Sequence, residues 1–168
     1  MNQSLNRDKR VVLDAISSFV DGAAVKAKGW LNFDVIRALI KTPVQLVPED
    51  RLCTSLLTLL DQEGIVLKPA GVLAIDAMKN FPDGYFKGKT VVCIASGGNF
   101  DFDRLPEVRE RSVCFEGLKN YFLLKLPQRP RALREFLNEC LDEDADITRF
   151  EYFKKSARTF GTVLLGLE

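Results

Sequence analysis

Thr90-Val91-Val92-Cys93-Ile94-Ala95-Ser96-Gly97-Gly98-Asn99 is the stretch on which the fold turns. Its first six residues are β-branched or small and apolar, the composition of a buried strand, and the paired glycines break it sharply. Asp103 can cap a helix just beyond, with Pro106 inside its first turn. The same alternation runs upstream. A turn at Asp21-Gly22 precedes a short strand, Ala23-Ala24-Val25. Asn32 then caps a helix with Phe33, Ile36, Leu39 and Ile40 at helical spacing. Val44-Gln45-Leu46-Val47 reads as a strand. Pro48-Glu49-Asp50 opens a helix that carries Leu52, Cys53, Leu56, Leu57, Leu59 and Leu60 and stops at Gly64. Ile65-Val66-Leu67 is a short buried run, and Pro69 opens a helix that ends near Phe81-Pro82. Short strands alternating with such helices predict βαβ units, so residues from about 11 to 115 read as part of an open parallel α/β sheet.

The pattern changes after Leu118. Tyr121 to Leu126 reads as a strand, Pro130 to Leu141 as a helix, and Ile147 to Phe153 and Thr162 to Leu167 as two further strands. This βαββ run predicts a smaller α+β unit whose single helix leaves part of a sheet face uncovered, and the chain looks cut after it. Lys154, Lys155 and Arg158 fall at a hairpin tip, as a soluble turn. The first ten residues read as a loose tail, and Trp30 as part of a loop.

The chain has 168 residues, 46% hydrophobic and 28% charged, the balance of a globular protein with a core. Twenty-four Lys and Arg face 23 Asp and Glu, a net charge of +1, which gives no support to a nucleic-acid partner. No apolar run approaches the roughly 18–20 residues that cross a bilayer, so no membrane partner is expected and a cytoplasmic location is. The absence of histidine removes Ser-His-Asp and Cys-His catalysis and every His-containing metal site. Cys53, Cys93, Cys114 and Cys140 form no Cys-x-x-Cys pair and read as structural residues of a reducing compartment. Arg104, Arg109 and Arg111, interleaved with Glu107 and Glu110, read as a solvated helix face.

In doubly wound sheets, ligands bind beyond the carboxyl ends of strands, which makes the turn Ser96-Gly97-Gly98-Asn99 the most informative loop. It is no nucleophile elbow, because Ile94 stands where glycine is needed and there is no histidine base. Three readings stay open. The Gly97 and Gly98 amides could cradle a phosphate, although Asp101 and Asp103 oppose an anion. Ser96 could offer a neutral hydroxyl to a ring nitrogen. The loop could also be only a turn.

Four segments together carry a resemblance. Phe19-Val20-Asp21-Gly22-Ala23-Ala24-Val25-Lys26, Lys68-Pro69-Ala70-Gly71, Ser96-Gly97-Gly98-Asn99 and Arg149-Phe150-Glu151-Tyr152 resemble, in order and spacing, the biosynthetic threonine dehydratases, pyridoxal-phosphate enzymes of fold type II. The likeness runs from about Asp14 to Glu168. It implies the second half of that open parallel sheet followed by a partial ACT-like unit: residues 1–10 a tail, 11–117 the C-terminal part of the catalytic domain, and 118–168 an incomplete ACT-like regulatory domain. It implies that Ser96, with Gly97 in the same turn, meets the pyridine nitrogen of pyridoxal phosphate and that Gly22 lies near its ring. Lys68 stands where the family has glutamate, either as an exposed variant or as a functional change. No Schiff-base lysine or phosphate loop has a counterpart, so no catalytic residue is assigned and this chain by itself is expected not to dehydrate L-threonine to 2-oxobutanoate and ammonia.

The same resemblance implies isoleucine and valine as effectors. The family's Arg-Pro-Gly-Ala-Leu loop here reads Arg129-Pro130-Arg131-Ala132-Leu133, with Arg131 and Leu133 as effector-site candidates. Arg131 either obstructs an effector or offers it a charge. The expected partners are another copy of the chain or a dehydratase subunit, since an open sheet edge templates pairing. A stand-alone regulatory module binding an amino acid or such a subunit is the alternative reading.

Overall fold

Proline followed by two carboxylates starts the central helix of the first unit as the sequence predicts. In the computed structural model, which describes residues 1–40, 42–153 and 159–168, this is α3, Glu49–Glu63, closed by Gly64. Lys154, Lys155 and Arg158 lie outside the described residues. The chain divides into two compact units, Met1–Ser112 and Val113–Glu168.

In the first unit α1 (Asn2–Asn6), α2 (Trp30–Leu39), α3, α4 (Pro69–Ala77) and α5 (Leu105–Phe115) follow in order, α5 running on into the second unit. Leu52, Cys53 and Leu56 on one face of α3 meet Val72 of α4, Val108 of α5 and the loop residues Phe19, Val20, Leu67 and Phe100. Each large side chain so buried contributes on the order of 1.5–3 kcal/mol. Burial pushes the Cys53 thiol up to about 12; nearby Arg111 pulls the other way and the carboxylates of Asp50, Glu107 and Glu49 add to the rise. Arg111 and Arg104 both stack on the Phe19 ring, with guanidinium carbons 4.2 and 4.8 Å from its centroid. The arginine face of α5 is therefore partly a core lid: Arg111 pairs with Glu107 on its own helix and with Asp50 on α3, at 3.1 and 3.0 Å.

Several expectations are corrected. The parallel sheet over residues 11–115 is not formed: among the described residues the single sheet is antiparallel and lies in the second unit. Residues 23–25, 44–47, 65–67 and 90–95 are not in strands. Residues 90–95 make no backbone–backbone hydrogen bond among the described residues, and Val92 and Ile94 are 84% and 78% exposed. Strand propensity is realised only through a paired, half-covered surface, which these segments lack here. The expected tail forms α1, where Ser4 is buried and its Oγ accepts from the Val11 amide at 3.0 Å. Trp30 is the first residue of α2, two positions before the expected Asn32 cap, with the Arg10 guanidinium 4.6 Å from its ring centroid. Asp101, not Asp103, supplies the capping carboxylate before α5, accepting from the Asp103 amide at 3.2 Å.

The second unit matches the βαββ expectation: β1 (Asn120–Pro127), α6 (Ala132–Cys140), β2 (Ile147–Phe153) and β3 (Phe160–Leu167), with sheet order β1-β3-β2, all antiparallel. It is a small mixed α/β domain with a three-stranded sheet. Register places Phe122, Leu165 and Phe150 in one row and Leu124, Val163 and Tyr152 in the next, on one sheet face. Val163 and Leu165, on the central strand, are buried, while Phe122 and Phe150 on the flanking strands stay partly exposed. α6 approaches β1, a flanking strand, and its Leu133 and Leu137 stay partly exposed.

Candidate functional site

The cofactor candidates Gly22, Ser96 and Gly97 come together at the start of α4. The Lys68 amide donates to the Gly97 carbonyl at 2.8 Å, and the Gly71 amide donates to the Lys68 carbonyl at 2.8 Å, so the helix N-terminus is tied to the Ser96–Gly97 turn. Gly97 has φ +77°, the left-handed region that favours glycine. Gly71 faces the Ser96 carbonyl so closely that a Cβ there would be driven into it. The Ser96 hydroxyl makes no hydrogen bond among the described residues. Three of the four quoted motifs therefore meet in one place, which the spacing alone did not establish.

The sequence did not reveal where the Lys68 side chain lies. A Cβ on Gly97 would stand 2.6, 2.9 and 3.1 Å from Lys68 Cε, Cγ and Cδ. A Cβ on Gly22 would stand 3.4 Å from Lys68 Nζ and 3.6 Å from its Cε. The lysine stem thus crosses Gly97 and its amine ends at Gly22, where it makes no ion pair or hydrogen bond among the described residues. A flat aromatic cofactor resting on these two glycines and reaching Ser96 does not fit this arrangement, because the stem fills the gap between them.

A second concavity, about 320 Å³, opens where β1 turns into α6. Leu126, Ala132, Leu133, Phe150 and Tyr152 give it an apolar wall, and Gln128 and Arg129 lie at its polar side. The Gln128 Nε2 is buried and has no hydrogen-bond partner among the described residues. An unsatisfied buried donor costs about 1–3 kcal/mol, which an acceptor brought within reach of it relieves. Arg129 is engaged by Glu135, its Nη1 donating to Oε1 at 2.9 Å, and this pairing holds the Glu135 carboxyl below its ordinary range. Of the two effector candidates, Leu133 lines the cavity and Arg131 does not. Gln128 was missed because nothing around it in sequence marks a buried amide. Phe150 and Tyr152 were visible as part of a motif, although not as cavity walls.

Arg131 precedes α6 with φ 73° and ψ −9°, a left-handed conformation. That region costs a residue with a side chain about 1 kcal/mol or more relative to glycine. Arg131→Gly is therefore expected to stabilise the second unit by about 1 kcal/mol, seen as a raised urea midpoint at unchanged slope. A lowered midpoint would mean that the Arg131 side chain holds the turn through contacts that outweigh the backbone cost.

Residues 110–168 match the family described as the C-terminal regulatory domain of threonine dehydratase. The chain is 48% identical over 168 residues to a biosynthetic L-threonine dehydratase of Halalkalibacterium halodurans, which covers 100% of this chain and 40% of that protein. A biosynthetic L-threonine dehydratase of Staphylococcus aureus is 46% identical over 158 residues, 94% of this chain and 37% of the relative. The chain thus spans about 40% of the length of the curated relatives it matches. Among solved structures, the processed form of threonine deaminase isoform 2 from Solanum lycopersicum aligns with a TM-score of 0.57 and 29% identity, over 66% of this chain and 32% of that one.

Proposed function

We propose, from the similarity of the chain to biosynthetic L-threonine dehydratases and the match of residues 110–168 to the C-terminal regulatory domain of threonine dehydratase, that it senses a branched-chain amino acid on behalf of a pyridoxal-phosphate-dependent lyase. The observation that carries this reading is the cavity at the β1–α6 turn, whose lining joins apolar side chains to Gln128, an amide whose buried Nε2 has no hydrogen-bond partner among the described residues. An aliphatic side chain suits Leu126, Leu133, Phe150 and Tyr152. The α-carboxylate of the same ligand suits Gln128 Nε2, since hydrogen bonds to charged acceptors are the stronger ones. Isoleucine and valine have this chemistry.

Dehydration and deamination of L-threonine to 2-oxobutanoate and ammonia belong, on this reading, to the longer enzyme, and residues 11–117 are the end of its cofactor domain. The apolar segments 44–47, 65–67 and 90–95, which are not strands in this structure, would find the neighbouring strands they lack only within that longer enzyme, and Val92 and Ile94 are exposed without them. Subunit pairing through the sheet edges fits the same reading.

Titration calorimetry of the purified chain tests it. One isoleucine or valine per chain is expected, with Kd of about 1 mM or tighter, and Gln128→Ala is expected to weaken it at least about tenfold. Alanine, which leaves the apolar wall unfilled, is expected to bind more weakly. Absence of binding, or equal affinity in Gln128→Ala, would overturn the assignment of this cavity.

A further inference from the structure

The Lys68 side chain lies against two residues without side chains, Gly97 and Gly22, and the Ala70 Cβ closes on Gly22 beside it. The backbone bond from Lys68 N to Gly97 O, 2.8 Å, fixes the root of that stem beside the turn. From there its Cγ, Cδ and Cε run over Gly97 and its Nζ comes to Gly22. Lysine readily lays its methylenes along a surface, and Lys68 is half-buried with no counter-ion among the described residues.

We infer that Lys68 is a built-in plug: its alkyl stem, rather than its charge, closes the space between Gly22 and Gly97 to a flat heteroaromatic ring. The inference takes from the family reading only that the cleft is ring-shaped for a pyridine. It is independent of the effector cavity, which lies in the other unit. Stem and ring compete for one volume, so shortening the side chain opens the cleft and neutralising it at full length does not.

The probe is pyridoxine, which has no aldehyde to label surface lysines and no phosphate that would need a cradle of its own, measured by equilibrium dialysis against the full chain. Wild type and Lys68→Met are expected to bind with Kd of about 1 mM or weaker, and Lys68→Ala to bind one equivalent at least about tenfold more tightly. Far-ultraviolet circular dichroism confirms that both variants stay folded, as a half-buried surface position allows. Tight binding by wild type overturns the plug, and so does a Lys68→Ala affinity equal to wild type. If Lys68→Met binds as tightly as Lys68→Ala, charge and not the stem closes the cleft, and the inference fails. Isoleucine binding is read in its own titration, so failure of the plug and failure of the effector reading are separable.

Discussion

Replacing Asp76 by alanine is expected to cost the first unit about 3–5 kcal/mol, a large part of the stability of a domain this size. Asp76 is wholly buried on α4. Its Oδ2 accepts from Arg51 Nη2 and Nε at 2.7 and 2.9 Å, and its Oδ1 accepts from Ser55 Oγ at 2.6 Å. Lys79 Nζ stands 3.8 Å away and donates to the same serine at 2.7 Å. Arg51 also donates to Asn80 Oδ1 at 2.6 Å, and Asn80 in turn donates to the Leu46 carbonyl at 2.9 Å. One carboxylate thus joins α3, α4 and the preceding loop. Removing it leaves the Arg51 guanidinium, whose side chain is only 18% exposed, without its counter-ion. The double replacement Arg51→Met with Asp76→Leu is expected to cost much less than Asp76→Ala, because desolvation already offsets most of the pair's attraction. Urea unfolding followed by far-ultraviolet circular dichroism decides it. A loss below about 1 kcal/mol for Asp76→Ala would show that water reaches the site and that the network is not a core element.

The second unit was legible in sequence, and much of the first was not. β2 falls on Ile147–Phe153 as read, and β1, α6 and β3 differ from their expected ends by one or two residues. Their strands pair with one another inside a short stretch, so local pattern and tertiary partner agree. α3 was equally legible, because Pro48, Glu49, Asp50 and Gly64 are start and stop signals in their own right. Residues 90–95 carry an equally strong strand signal yet remain unpaired, since a parallel strand depends on neighbours that no local pattern supplies. The convergence of Gly22, Ser96 and Gly97 was implied by the resemblance and by no local pattern. The Lys68 stem lying across them was not, because its course depends on where three separate segments meet. Arg131 shows the converse: the left-handed backbone persists where the sequence offers a residue that does not favour it.

Gly71→Ala is the change that tests the cleft through its backbone. Gly71 lies in the first turn of α4, where alanine is the better helix former by about 1 kcal/mol. Against this gain stands a steric cost. The new Cβ is aimed at the backbone carbonyl of Ser96, which cannot swing aside as a flexible side-chain end could. Either α4 withdraws from the turn or residues 96–98 are displaced, and in both cases the Lys68–Gly97 hydrogen bond is lost. Overpacking of this kind costs about 1–3 kcal/mol and sometimes more, so a net loss of about 2 kcal/mol is expected. Gly98→Ala is the control. It lies in the same turn without positive φ, and its Cβ would meet only the Val66 carbonyl at 3.6 Å, an ordinary contact. Its effect is expected to stay within about 0.5 kcal/mol. Amide hydrogen exchange supplies the second readout: the Lys68 amide is expected to lose protection in Gly71→Ala and to keep it in Gly98→Ala. If the two alanines prove equally harmless, α4 and the Ser96 turn are not held at the close approach described. The closed cleft between Gly22 and Gly97, which depends on that approach, would then be only one of several arrangements.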